Sequence, residues 1–192
     1  FKTAGKPADI YCAAGIPGQE DVRKITADGN EIYMLQDEYP HFAEREYKAE
    51  IGRSAGGNDT LMKDIKTAGD WAHGDYGNYG ITVVMPWLAE RYPKEISFGE
   101  RGARAVLWSG RSGKELDFRA KTLVDEYWQT WAKTAPGAPA DPYSIPSNAA
   151  GTSLTHDVWL LLHDGTYSPE PVRKSAMAAA RTTLVLSDPK WL

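Results

Sequence analysis

The sequence of 192 residues has few of the residues from which metal and disulfide sites are built: one cysteine, Cys12, and four histidines. A single cysteine excludes an internal disulfide framework and a zinc site with several cysteine ligands. Because Cys12 follows an apolar, strand-like segment, it is interpreted as a buried structural residue and not as a nucleophile.

Charge and hydropathy exclude two further classes. Lys and Arg residues are scattered without a basic block, and the formal net charge is −4, so the electrostatic footprint of a nucleic-acid-binding protein is missing. No apolar run approaches the roughly 18–20 residues that a membrane-spanning helix needs. We therefore expect no nucleic-acid partner and no membrane span.

The common motifs for nucleotide binding and for serine hydrolysis are also missing. The glycine-rich stretches "GRSAGGND" and "SGRSGKE" have neither the spacing nor the preceding strand of a phosphate-binding loop. The stretch "WSGRSG" does not match the nucleophile elbow Gly-x-Ser-x-Gly. We interpret these glycine-rich stretches as surface turns.

His156 and His163 flank an apolar segment, "HDVWLLLHD", and lie seven residues apart. On a helix that spacing is two turns, about 10 Å along the axis, which is too far for two nitrogens that must each lie about 2 Å from one ion. On a strand, an odd separation places the two side chains on opposite faces. We predict that these histidines do not share a metal ion, and the sequence leaves any metal ligands unknown.

Aromatic residues are abundant, with seven Trp and ten Tyr, a content common in exported proteins that handle carbohydrates or peptides. The sequence begins at Phe1, with neither a Met nor a signal-like apolar region, which is typical of a processed chain. We therefore expect a secreted or periplasmic protein.

Short strands that alternate with helices predict an α/β fold, with a mixed sheet flanked by helices in an α/β/α arrangement. Strands are predicted in "ADIYC", "EIYML", "YGITVVM" and "ARAVLW", and helices over residues 36–53, 114–134 and about 172–186.

The domain organisation is predicted from composition. Residues 135–153 are rich in Pro, Ala, Gly and Ser, which is typical of a linker or a long loop. We predict an α/β domain over residues 1–134, this Pro-rich loop, and a C-terminal segment over residues 154–192 that carries a helical appendage and packs on the main domain.

The stretch "GDWAHGDYGNYGITVV", residues 69–84, crowds aromatic residues and glycines before a β-branched run. Asp70 and Trp71, then Tyr79, then Thr82 in the β-branched strand resemble the segment that leads into the catalytic strand of the zinc carboxypeptidases. The resemblance covers roughly residues 8–90, in the C-terminal half of that fold. It implies an α/β/α fold, a zinc cofactor and action on the C-termini of peptides.

Val84 occupies the position at which that family carries its general acid/base glutamate, and a valine cannot transfer protons. The family's first zinc ligands would lie upstream of the residues present. The resemblance therefore implies a catalytically degenerate domain, or a piece of a larger peptidase, that has no catalytic residue of its own. Zinc would bind only if a longer chain or a partner supplied ligands, and the chain alone is predicted to lack carboxypeptidase activity.

The same resemblance implies a peptide-sized pocket lined by the turn after Asp70. Asp70 is expected to cap that turn by accepting backbone N–H bonds, and Trp71 and Tyr79 to supply apolar walls. We expect Trp71 mainly to anchor the turn to the core, and His73 to be partly exposed. The candidate substrate-binding residues are thus Asp70, Trp71, His73 and Tyr79.

The aromatic content also supports an alternative hypothesis, that of an extracellular binding or assembly subunit without catalytic activity. Such a module would present Trp and Tyr residues to a peptide, protein or glycan partner, in some cases as part of a larger complex. An exposed aromatic patch without a metal would favour this hypothesis.

Overall fold

A computed structural model describes residues 5–16, 19–38, 48–54, 58–113, 155–165 and 168–180. The chain divides into two compact units, residues 1–112 with 156–192 and residues 113–155. Almost all of the described residues belong to the first unit, and the architecture below is that of the first unit.

The described residues form ten strands and one α-helix. In chain order these are β1 (Asp9–Ala14), β2 (Asp21–Thr26), β3 (Glu31–Gln36), β4 (Ala49–Ser54), β5 (Asn58–Ile65), β6 (Ala68–Asp75), β7 (Tyr79–Val84), β8 (Lys94–Gly99), β9 (Gly102–Val106), β10 (Trp159–Asp164) and α1 (Pro169–Ala180). Within that part of the chain, no helix is both long and apolar enough to cross a membrane.

The strands make two five-stranded sheets in which all pairings are antiparallel. The first sheet has the order β10-β7-β6-β1-β2, and the second has the order β5-β4-β3-β8-β9. Alternate side chains of each strand point to the same face of its sheet. In this way each sheet turns one row of apolar side chains towards the main core.

The main core contains aliphatic side chains from both sheets. Ile10, Ile81 and Val83 come from the first sheet, and Ile32 and Phe98 come from the second. All five are buried. Burial of apolar area contributes roughly 25 cal/mol per Å² and dominates the stability of such a core.

Helix α1 covers part of the other face of the first sheet. Its residues Val172 and Ala176 are buried in a smaller apolar cluster with Trp71, Val84 and Ala13. The first sheet is therefore apolar on both faces where α1 lies over it.

The predicted α/β/α fold is wrong, because the described residues are mostly antiparallel sheet with one helix. Residues 49–53, at the end of the helix predicted over 36–53, belong to β4, in which Ala49 and Ile51 are buried at a spacing of two. Antiparallel neighbours can be joined by short turns and need no crossover helix. Residues 39–47 of the predicted helix lie outside the described residues, and over residues 49–53 the spacing of two is that of a strand.

Other predicted elements have mixed outcomes. "YGITVVM" forms the interior strand β7, as predicted, and strands are also found in "ADIYC", "EIYML" and "ARAVLW". The C-terminal helix is present but begins at Pro169, before the predicted start. The helix predicted over residues 114–134 and the loop over 135–153 lie outside the described residues.

The outer face of the second sheet carries a polar network around Tyr33. The Tyr33 hydroxyl donates to Glu50 over 2.9 Å, and the guanidinium of Arg111 lies 4.1 Å from the centre of the Tyr33 ring. Arg111 also bonds Glu31 and Glu95, at 3.0 and 3.1 Å. This network ties the short 3-10 turn of residues 110–112 to the sheet.

Gly52 lies directly opposite Tyr33 in the neighbouring strand, and a Cβ atom there would lie 2.2 Å from the Tyr33 ring. Since Glu50 and Arg111 hold that ring, we predict that Gly52→Ala lowers the free energy of unfolding by about 1–3 kcal/mol. Gly110→Ala is the control, because a Cβ at Gly110 meets nothing within 4 Å. The measurement is urea unfolding, and equal stability of the two variants would contradict the prediction.

Candidate functional site

The stretch of residues 69–84 is a β-hairpin and not a long turn. Strand β6 takes up most of it, and only residues 76–78 form the turn that leads into β7. The Asp75 carboxylate accepts the backbone N–H of Gly77 at 2.8 Å, and Gly77 has φ +85°. Asp75 therefore makes the side-chain turn bond that was predicted for Asp70.

Asp70 caps a different segment, the β7–β8 loop. Its carboxylate accepts the backbone N–H of Leu88 at 3.1 Å, and its carbonyl accepts the N–H of Met85 at 2.8 Å. Burial raises the pKa of Asp70 to about 6, while the bond from Leu88 acts in the opposite direction. The prediction that Asp70 binds residues directly after it is wrong, because β6 continues through those residues.

The loop that Asp70 holds presents Trp87 to solvent. Trp87 has φ +62°, a conformation that is costly for a bulky residue, and 58% of its surface is exposed. Its carbonyl accepts the N–H of Arg91 at 3.0 Å. The capped loop therefore holds an indole outside the core in a strained backbone conformation.

Trp71 lies on the face that α1 covers and is fully buried. Val84, which the resemblance placed at a catalytic position, is its cross-strand neighbour and is equally buried. Trp71 thus anchors the hairpin to the core, as expected, and has no exposed surface with which to line an open pocket.

His73 is almost completely buried, with 1% of its surface exposed, so the expectation of partial exposure is wrong. Its Nδ1 lies 2.8 Å from the Thr82 hydroxyl, which lies 2.9 Å from Nε2 of His163. A Cβ at Gly80 would lie 2.4 Å from the His73 ring, so the glycine makes room for it. Burial, and next the nearby His163, lowers the pKa of His73 to about 4.

Tyr79 packs against the main core and stacks on Tyr76, with ring centres 5.1 Å apart. It therefore lies on the opposite face of the hairpin from Trp71 and His73. Asp70 shares the face of Tyr79 but lies at the far end of the hairpin, where β6 begins and β7 ends. The four candidate residues do not converge on one place.

Sequence reasoning did not identify Lys94, which lies in β8 with 1% of its surface exposed. Its Nζ lies 2.6 Å from Nδ1 of His156. Burial, followed by the charge of Arg91, lowers the pKa of Lys94 to about 8. The pKa of His156 is also lowered, by burial and then by Lys94, so the lysine donates to a neutral imidazole. A lysine at the start of a strand carries no sequence signal for such a contact.

None of these groups forms a complete reaction centre. Thr82 lies between two imidazoles but is fully buried, which keeps its hydroxyl from a substrate. Within the described part of the chain, no group of three His, Cys, Asp or Glu residues is placed to hold a metal ion. His156 and His163 lie in separate clusters, the first beside Lys94 and the second beside Thr82.

Among the described residues, the most exposed apolar feature is the strand β10, which lies at one edge of the first sheet. Four of the seven exposed large hydrophobic residues described lie in or beside it: Val158, Trp159, Leu160 and Leu162. Leu162 has 65% of its surface exposed. Within the described part of the chain, no strand pairs with the free side of β10. Sequence reasoning noted the "WLLL" run but had no signal that it would lie at an edge.

Both ends of β10 are held by histidine contacts. His163, inside the strand, bonds Thr82 of β7, and His156, three residues before the strand, bonds Lys94 of β8. Leu161 packs against the cluster beneath α1. The strand is therefore anchored in place while Leu160 and Leu162 face solvent.

Comparison of the chain with protein-family models, with curated proteins and with solved structures finds no match.

The buried imidazole of His73 predicts a loss of stability in acid. Its pKa of about 4 in the folded chain lies below the ordinary value of 6.5, so the unfolded chain binds the proton first and stability falls as pH drops from 6.5 towards 4. When the pH is lowered from 7 to 5, the free energy of unfolding of wild type, measured with urea, should fall by about 2 kcal/mol more than that of His73→Phe.

Thr82→Val is the matched control for that experiment, because it removes the hydroxyl between the imidazoles and leaves the His73 ring buried. If burial sets the pKa of His73, this variant keeps most of the pH dependence. An NMR titration of the His73 ring with a midpoint near 6.5 would contradict the prediction.

The raised pKa of Asp70 predicts the opposite pH dependence. The folded chain protonates Asp70 near pH 6, above the ordinary value of 3.8, so the folded state gains stability relative to the unfolded state as pH falls through 6. Asp70→Ala leaves the buried N–H of Leu88 unpaired, a loss of about 1–3 kcal/mol. At pH 7 the wild-type protein holds a buried charge at Asp70, and the variant avoids that cost, which offsets part of the loss. At pH 5 Asp70 is mostly neutral in the folded chain, so the variant's loss of unfolding free energy relative to wild type should be about 1 kcal/mol larger than at pH 7.

Asp75→Ala is the control, since the N–H that Asp75 accepts belongs to Gly77 on an exposed turn and can bond water instead. At pH 5, Asp75→Ala should lower the free energy of unfolding, measured with urea, by less than Asp70→Ala does. A larger cost at Asp75 would contradict the assignment of Asp70 as the residue that holds the β7–β8 loop.

Proposed function

We propose that this chain is a non-catalytic binding or assembly module that docks an extended polypeptide segment along the free edge of β10. The observation that carries the proposal is the exposed apolar edge itself. A sheet edge presents a row of backbone N–H and C=O groups, and an added strand gains hydrogen bonds from them and specificity from alternate side chains.

The opposite edge of the same sheet supports this interpretation by contrast. Strand β2 carries Asp21, Arg23 and Lys24, and Lys24 forms an ion pair with Asp9 at 2.9 Å. Charged side chains are a common means by which proteins prevent edge-to-edge association. Strand β10 has no such protection between Trp159 and Leu162, and a cluster of exposed apolar side chains is typical of an interaction surface.

Anchoring adds a second line of support. The contacts of His156, His163 and Leu161 hold β10 as an ordered strand before any partner arrives. A pre-organised site loses less conformational entropy on binding, and this raises affinity.

The zinc carboxypeptidase resemblance contributes nothing to this proposal, because it implied an α/β/α fold. A catalytically degenerate domain without carboxypeptidase activity, and export to a secreted or periplasmic location, stay predictions from the sequence. The alternative hypothesis, a binding or assembly subunit with a peptide or protein partner, agrees better with the exposed edge.

The test uses a synthetic peptide of alternating Val and Thr with a lysine at each end. The lysines would suit the carboxylates of Asp157, just before β10, and of Asp164, its last residue. Amide hydrogen exchange is followed by NMR with and without the peptide. We expect slower exchange at the edge amides of β10. Leu162→Lys should weaken binding at least about tenfold, since a leucine buried by the peptide contributes roughly 1.5–3 kcal/mol.

Ile16→Lys is the matched control, because Ile16 has 66% of its surface exposed, like Leu162, but lies in a loop outside β10. It should leave peptide binding unchanged. At protein concentrations where the chain is monomeric, an absence of protection in β10, or equal weakening by both variants, would overturn the proposal.

A further inference from the structure

We propose that the segment docked on β10 is β10 of a second copy of this chain, paired antiparallel across a two-fold axis through Leu161. This inference rests on the proposed function and names its partner. The first argument is the self-complementary pattern of "WLLLHD", since a two-fold interface must match a surface to itself.

A two-fold axis perpendicular to the sheet keeps each side chain on its own face. With the axis at Leu161, that residue faces its own copy, and Leu160 faces Leu162 of the partner subunit. Leu160 and Leu162 share one face of the strand, so the pairing brings four exposed leucines into one cluster. Facing side chains in antiparallel strands have Cβ atoms about 4.5–5.5 Å apart, close enough for these leucines to touch.

The other face of the strand is equally compatible with this register. Trp159, half exposed, would face His163 of the partner subunit, and the indole and the imidazole could pack together. Asp164 would face Val158 of the partner subunit, so no carboxylate lies opposite another carboxylate.

Two-fold axes at the neighbouring residues also keep each side chain on its own face of the sheet, but they give less favourable pairings than the axis at Leu161. An axis at Leu162 would place Leu160 opposite Asp164 of the partner subunit, so Leu160 would lose the facing leucine that the axis at Leu161 provides. An axis at Leu160 would extend the pairing to residues 156–158, which are not in strand conformation, and His156 is already bonded to Lys94. Of these three registers, the axis at Leu161 is the one in which Leu160 and Leu162 both face a leucine of β10.

The resulting assembly would join two five-stranded sheets into one continuous ten-stranded sheet. Such closure removes the free apolar edge from both copies and leaves the charged strand β2 at each end. Charge at the remaining edges would stop the association at a dimer.

Sedimentation equilibrium and cysteine cross-linking test this inference. Wild type and Ile16→Lys should show the same concentration-dependent dimer, and Leu162→Lys should associate at least about tenfold more weakly, because its lysine replaces a leucine buried in the pairing. Leu161→Cys should form a disulfide-linked dimer on mild oxidation, since facing Cα atoms in an antiparallel pair lie about 4.5–5.5 Å apart, within disulfide range.

Register is tested by mixing two further variants. Leu160→Cys and Leu162→Cys should cross-link to each other far faster than either does to itself, and Ile16→Cys should cross-link only slowly. The native Cys12 is buried and does not interfere.

The outcomes separate this inference from the proposed function. A chain that stays monomeric but gains protection in β10 from the Val/Thr peptide overturns the dimer and leaves the docking function standing. A dimer that persists in Leu162→Lys, or a Leu161→Cys variant that cross-links no faster than Ile16→Cys, also overturns the inference. A monomer without peptide protection overturns both.

Discussion

The burial of β6 on both of its faces is the constraint on which the rest of the unit depends. All eight residues of this central strand are buried. Ala72 faces the core between the two sheets, and Trp71 faces helix α1. Because Cβ atoms added at Gly69 and Gly74 would come within 2.6 Å of Ala13 and Phe98, neighbouring elements approach this strand as closely as glycine allows.

Double burial of β6 also explains why its ionisable residues behave unusually. Asp70 and His73 both leave water when the sheet forms, and burial raises the pKa of the acid and lowers that of the imidazole. Asp70 therefore becomes neutral at a higher pH, and His73 stays neutral to a lower pH, than in the unfolded chain. Hydrogen bonds from Leu88 to Asp70, and between His73 and Thr82, offset part of the cost of burying these polar groups. The same bonds position the β7–β8 loop and strand β7.

Sequence patterns predicted those parts of the fold that depend on local alternation. The uncharged β-branched run before Met85 predicted β7, and short apolar runs predicted β1, β3 and β9. The polar and glycine-rich composition of residues 68–75 concealed β6, because a strand covered on both faces by packed elements can hold Gly, Asp and His where each has a partner or space. The predicted α/β/α fold class was wrong, because a small number of apolar residues at helical spacing does not exclude a strand.

For the candidate site, the sequence by itself determined which residues were unusual: the aromatic hairpin of residues 69–84, the histidine-flanked run before Asp164, and the scarcity of metal ligands. The tertiary structure alone decided which of them are buried and which lie at an edge. Thr82 and His163 are 81 positions apart, and no local pattern reports that they bond. Neighbours across a sheet come from distant parts of the chain, so the exposure of β10 is set by strand order, which side-chain alternation does not encode.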